Sequence, residues 1–211
     1  MEALKKYCRS VGWKRFLVMV AGNVFIGMGV GIFKLSALGT DPFNGMNMAL
    51  GDLTGIPYPV LQIIVNVVML AVEIGLARHL IGFGTVVNAV FLGYFATFFY
   101  WIFSGFPGHP QAMPLKLITV CVGVVVISFG LSLYQQSDAG VAPFDSMALI
   151  LSKRCPKIPY FWCRMAFDGT CALICYLAGG VIGLGTLVCA FGMGSIIHFF
   201  DKTVTARILR S

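Results

Sequence analysis

The chain has 211 residues, 58% hydrophobic and only 11% charged, with a net charge of +7. A soluble domain carries about 25% charged residues, so this composition excludes a water-exposed globular surface and implies hydrocarbon as the solvent. The positive charge falls in segments between apolar runs, which makes it a topology signal and an attraction to anionic lipid headgroups rather than a nucleic-acid patch.

A helix needs about 20 mostly apolar residues to cross a bilayer core of roughly 30 Å, and six stretches approach or meet that length. The first is 16–33, with no charged residue inside it. Basic residues precede it as in a signal peptide. It ends in Phe33-Lys34-Leu35 without a small-residue cleavage site, so a retained span is expected. Gly27, Gly29 and Gly31 give it a face for close helix packing. Gly39 then permits a sharp turn, and Pro42 suits the first position of a helix. Phe43, Met46, Leu50 and Leu53 follow helical spacing until Thr54-Gly55. This predicts a helix of about ten residues, too short to span. The second span, 57–77, carries Gln62, Asn66 and, near its end, Glu73. The third, 80–103, opens on Gly82-Phe83-Gly84-Thr85.

The fourth span is 117–134. Gly140 and Pro143 follow it and start a second short helix that ends at 153–157. The fifth, 158–177, contains Arg164 and Asp168, and the sixth is 182–200, with 178–181 as the turn between them. The order of elements is thus stated twice. Leu38-Gly39-Thr40-Asp41-Pro42-Phe43-Asn44-Gly45-Met46 resembles Ala139-Gly140-Val141-Ala142-Pro143-Phe144-Asp145-Ser146-Met147. Gly22 and Gly29 match Gly123 and Gly130, Ile56-Pro57-Tyr58 matches Ile158-Pro159-Tyr160, and Gly82-Phe83-Gly84-Thr85 matches Gly183-Leu184-Gly185-Thr186. The chain is read as one all-α membrane domain, 1–211, with repeat 1 at about 16–103 and repeat 2 at about 117–200. Three spans per repeat make the second copy enter the membrane from the opposite side. That inverted architecture is common in secondary transporters, whose sites lie at the repeat interface.

Under this model one side carries Lys5, Lys6, Arg9, Lys14, Arg15, Arg78, Lys153, Arg154, Lys157, Lys202, Arg207 and Arg210, and the other only Lys34 and Lys116. The positive-inside rule puts both termini in the cytoplasm. Cys121, Cys163, Cys171, Cys175 and Cys189 fall inside spans, and Cys8 and Cys155 on the cytoplasmic side, so no disulfide framework is expected. Cys171 and Cys175 lack a third ligand at metal spacing. His79, His109 and His198 are scattered. No metal, cofactor or soluble-enzyme signature is expected, and the protein is read as no enzyme.

The candidate site rests on polar groups at membrane depth. Arg164 and Asp168, four residues apart, share a helix face and can pair. Their repeat mates are Gln62 and Asn66, a neutral pair at the same depth. Asn44 and Asp145, one residue after each Pro-Phe, form the third symmetric pair. Arg164 could attract an anionic group and Asp168 a cation or proton; a purely structural ion pair is the other reading. The short helices are either interfacial and amphipathic or re-entrant, with their N-termini and dipoles facing a central ligand. Thr85 and Thr186 suit helix caps, and Asn23 and Asn88 suit interhelical hydrogen bonds.

The Gly39-Thr40-Asp41-Pro42-Phe43-Asn44 run, Thr54-Gly55-Ile56 and Gly82-Phe83-Gly84-Thr85-x-x-Asn88 resemble the YczE-like bacterial membrane proteins, distantly related to the YitT group. Members of the YczE-like family tend to carry Pro-Trp-Asp where this chain has Pro42-Phe43-Asn44 and Pro143-Phe144-Asp145. The resemblance covers about 16–200 and implies the bacterial cytoplasmic membrane. The expectation is a secondary transporter or facilitator of a small polar or anionic solute, with Arg164, Asp168, Gln62, Asn66, Asn44 and Asp145 at its site. The alternative is a non-transporting scaffold that binds a partner protein or lipid. Gly-rich helix faces are also surfaces on which two copies could pair as a homodimer.

Overall fold

Backbone amides in hydrocarbon must bond within their own segment, so long apolar runs become helices. The computed structural model describes residues 12–105 and 110–210, and among the described residues no strand forms. Lys5, Lys6, Cys8, Arg9 and His109 lie outside the described residues. In chain order the elements are α1 (Trp13–Ser36), α2 (Pro42–Thr54), α3 (Tyr58–Leu76), a 3-10 turn (Arg78–Leu80), α4 (Phe83–Ser104), α5 (Met113–Gln136), α6 (Pro143–Arg154), α7 (Tyr160–Leu177) and α8 (Leu184–Phe200). A π-helical stretch (Asp201–Thr205) continues α8 into α9 (Ala206–Arg210).

Five of these are long and apolar enough to cross a membrane: α1, α3, α4, α5 and the stretch Leu184–Ile208. The remaining predicted span, α7, has 18 residues and is less apolar because Arg164 and Asp168 interrupt it. Helices α1 and α5 run past the apolar stretches that announce them, taking in Lys14, Arg15 and Lys116 in their first turns. Long basic side chains at a helix end can reach the polar boundary.

The distribution of side chains is the reverse of a soluble bundle. Val68, Phe98, Ile118, Leu173, Leu187 and Phe199 face outward, while Asn23, Asn47, Asn66, Asn88 and Ser128 are buried. An outer surface this apolar is stable only against lipid. Helix α1 lies between α4 and α5, and α8 packs on α5. Glycines set the closeness of the α1–α5 crossing. A Cβ on Gly22 would stand 2.7 Å from the Tyr134 amide nitrogen and 2.8 Å from the Gly130 carbonyl; one on Gly29 would stand 2.9 Å from the Ile127 amide. Gly22 meets Gly130, and Gly29 meets Gly123, so each half's first glycine faces the other half's second. Gly27 and Gly31 pack against Phe95, Ala96 and Tyr100 of α4 in the same way. The glycine face of α1, which could have paired two copies, is therefore filled within one chain. Across α1 and α4, Asn88 Nδ2 donates to Asn23 Oδ1 at 2.8 Å, the interhelical bond that the two asparagines suggest.

The segments before the short helices are held by the opposite half. The Gly84 amide donates to the Ala139 carbonyl at 2.8 Å, and the Gly185 amide donates to the Leu38 carbonyl at 3.0 Å. The Thr85 hydroxyl accepts from the Gly82 amide at 3.1 Å, capping α4 as its position predicts, and also donates to the Val141 carbonyl at 2.7 Å. Thr85→Val removes both bonds and leaves buried backbone groups unpaired. It is expected to cost about 1–3 kcal/mol, read as a lower unfolding midpoint in detergent with membrane insertion unchanged. Helix α2 rests on α7 and α3, and α6 rests on α7 and α3 from the other half. Both short helices are inside the molecule from their first turn, Pro42 to Asn47 and Pro143 to Ala148 being buried.

Candidate functional site

The site is built where the two short helices begin. Asp41 caps α2: its Oδ1 accepts from the Asn44 amide at 3.1 Å, and its Oδ2 accepts from Asn44 Nδ2 at 2.9 Å and from the Thr40 hydroxyl at 3.3 Å. Pro42 takes the first helical position, where a missing N–H costs nothing. Pro143 does the same for α6. The two helix starts meet, with the Phe43 and Phe144 rings stacked at 4.6 Å between centroids and 19° between planes.

Beside this stack sits a buried charge cluster. Arg164 Nη1 donates to Asp145 Oδ1, and its Nε donates to Asp168 Oδ2 at 3.2 Å. The guanidinium carbon lies 4.6 Å from the Phe144 ring centroid, a cation–π distance. The Asp145 and Asp168 side chains are 12% and 10% exposed, so each depends on the guanidinium for compensation. The equivalent place in the first half is neutral. Asn44 Oδ1 accepts from the Tyr58 hydroxyl at 2.7 Å and from Gln62 Nε2 at 3.2 Å, and Asn66 Nδ2 donates to the Ala89 carbonyl at 3.2 Å.

A cavity of about 460 Å³ lies between the halves, within the range of small-molecule sites. Asn44, Asp145, Arg164 and Asp168 all line it. Gln62 and Asn66, expected there by symmetry, do not reach it. They stand on α3 behind the wall and spend their amides on Asn44 and on the backbone of α4. Sequence reasoning missed Asp41, Tyr160, Asn88 and Asp201 as lining residues. Tyr58 and Tyr160 carried a usable signal, since both close an Ile-Pro-Tyr and so repeat a hydroxyl at one position in each half. Asp41 carried none, because an aspartate before a proline reads as a helix cap. His198, one of the scattered histidines, stands at the cavity's edge with Asp201, and a second hollow of about 510 Å³ begins from the same two residues and continues along Gln136, Lys202 and Arg207.

Apolar spans around a polar centre define a multi-pass membrane protein. The chain belongs to DUF6198, a family of unknown function whose profile matches residues 13–202. It is 25% identical over 186 residues to the uncharacterized membrane protein YczE of Bacillus subtilis, covering 88% of this chain and 84% of that protein. It is 24% identical over 188 residues to an uncharacterized protein of Haemophilus influenzae (89% and 84% covered) and 22% identical over 202 residues to the uncharacterized protein YyaS of Bacillus subtilis (92% and 96% covered). The YczE-like resemblance read from the glycine and proline pattern is a family relationship. No solved structure matches the chain.

Proposed function

We propose that the protein is a secondary transporter or facilitator of a small polar solute in the bacterial cytoplasmic membrane. In this reading α1, α3, α4, α5, α7 and α8 cross the bilayer as two inverted three-helix halves, α2 and α6 are re-entrant, and both termini are cytoplasmic. One observation carries it: the cavity sits where the N-termini of the two short helices converge, with charged and amide side chains from both halves on its wall. Irregular backbone at depth is tolerated where it lines such a cavity or is buried in protein, and sites of this kind lie at the interface of inverted repeats. The reciprocal bonds of Gly84 to Ala139 and Gly185 to Leu38 support two equivalent halves, and rocking one half on the other would expose the site to each side in turn. The second hollow, lined by Lys202 and Arg207, lies at the basic end that this reading places in the cytoplasm. The cavity is read as a conduit and not a reaction centre, since Asp145 and Asp168 are tied to Arg164 in an ion cluster.

The test is thermal unfolding of purified protein in detergent against a panel of amino acids, sugars, organic acids and amines. A solute at 100 times its dissociation constant adds about 2.7 kcal/mol if it binds only the folded state. We expect one solute class to raise the midpoint of the native protein but not of Asp168→Asn, and to enter proteoliposomes that carry the native protein. A panel that shifts neither protein and is not taken up would sink the reading.

A further inference from the structure

We infer that the solute is a small organic cation, a protonated amine or a quaternary ammonium, bound between Asp41 and the aromatic wall of the cavity. The inference rests on the carrier reading and assigns its substrate class. The charge on the wall is unbalanced: the carboxylates of Asp41, Asp145 and Asp168 face the single guanidinium of Arg164, and Asp201 adds a further carboxylate at the edge.

On the wall of this cavity Arg164 is the single arginine or lysine, and it is already paired. Arg164 is held by Asp168 on Nε and by Asp145 on Nη1, and its face lies on the Phe144 ring. An anionic solute reaching its remaining nitrogen would lie beside two carboxylates already paired to the same group, against their repulsion. The positive ends of the two short helices are also taken. Asp41 accepts the Asn44 amide at the start of α2, and Asp145 stands in the first turn of α6.

A cation finds the opposite. Asp41 accepts only from neutral donors, Thr40 and Asn44, and among the described residues no basic side chain makes an ion pair with it. Of the three carboxylates on the wall it is the one without a cationic partner, and a ligand cation would add to the bonds it already accepts. Phe43, Tyr160 and Phe161 line the cavity, and aromatic faces hold amine and quaternary ammonium groups through their quadrupoles. A compact alkali ion would ask for several oxygen ligands and gain little from rings, whereas a bulky organic cation uses both.

The experiment compares probes matched in size and differing in charge: choline, its neutral isostere 3,3-dimethyl-1-butanol, and butyrate, with tetramethylammonium and butylammonium as further cations. Each is titrated against the purified native protein and Asp41→Asn, with unfolding midpoint and calorimetric binding as readouts. Asparagine is as good a helix cap as aspartate, so the variant keeps the fold, and an unchanged midpoint without ligand checks this. At least one cation should bind the native protein, the neutral isostere and butyrate should not, and Asp41→Asn should weaken the cation by about tenfold or more. Binding of butyrate in preference to every cation, or cation binding indifferent to Asp41→Asn, overturns the assignment and leaves the carrier reading standing. If no probe and no solute of the broader panel binds or is taken up, the carrier reading itself has failed.

Discussion

Arg164→Ala is expected to destabilise the folded protein by about 3 kcal/mol, the lower end of what removing one partner of a buried pair costs. The lower end applies because the Arg164 side chain is 31% exposed to the cavity. The cost comes from what remains, since Asp145 and Asp168 are nearly buried and would face each other without compensation. The first half of the molecule supplies the control. There the same places hold Asn44, Gln62 and Asn66, an uncharged set in the same fold. The triple variant D145N/R164Q/D168N copies that set and should recover stability to within about 1 kcal/mol, since replacing a whole buried ion cluster is often neutral. Denaturant titration in detergent measures both. A triple variant no more stable than Arg164→Ala would show that the guanidinium acts through packing on Phe144 and not through charge. Recovered stability with lost solute binding separates the cluster's role in folding from its role at the cavity.

Gly140→Ala is the second large effect. Gly140 has φ +112°, and a Cβ there would stand 2.5 Å from the Gly82 amide nitrogen and 2.6 Å from both Gly82 Cα and Thr85 Oγ1. A side chain in that backbone region costs about 1–2 kcal/mol, and overpacking adds about 1–3 kcal/mol. The expected total of about 3 kcal/mol or more should appear as loss of the folded, monodisperse fraction on size exclusion in detergent. Gly169→Ala is the contrast. Nothing stands within 4 Å of a Cβ at Gly169, so a small gain from helix propensity, about 0.5–1 kcal/mol, is expected. Equal losses in both variants would mean that glycine content, and not the contact at Gly140, matters.

These residues also mark what the sequence could and could not disclose. Apolar runs locate the helices, because hydrocarbon makes length and hydropathy a direct constraint. Glycine and proline locate the turns before the short helices and the close crossing of α1 on α5, because such places admit few alternatives. Partners across elements are less accessible. Arg164 and Asp168 announce each other by their helical spacing, but nothing in the chain aims Arg164 at Asp145 on a different helix. Symmetry then misleads for Gln62 and Asn66. They occupy the places of Arg164 and Asp168 but are neutral, so they carry no charge that must reach the cavity, and they bond instead to Asn44 and to the backbone of α4. Asp41 was hidden for the opposite reason, since its capping bond is obvious and its exposure to a cavity depends on how α2 meets α6.

The bonds that tie Gly84 to Ala139 and Gly185 to Leu38 bear on how the chain is made. When α1 to α4 have left the ribosome, the Leu38 carbonyl and the Gly84 amide still lack the partners that the second half supplies. The first half therefore waits, incompletely folded in the bilayer, until residues as late as Gly185 have been synthesised and inserted. Premature termination between α4 and Gly185 would leave a fragment with an open seam, a natural target for membrane proteases. Two halves produced as separate polypeptides should close that seam on each other, since every bond across it runs between them.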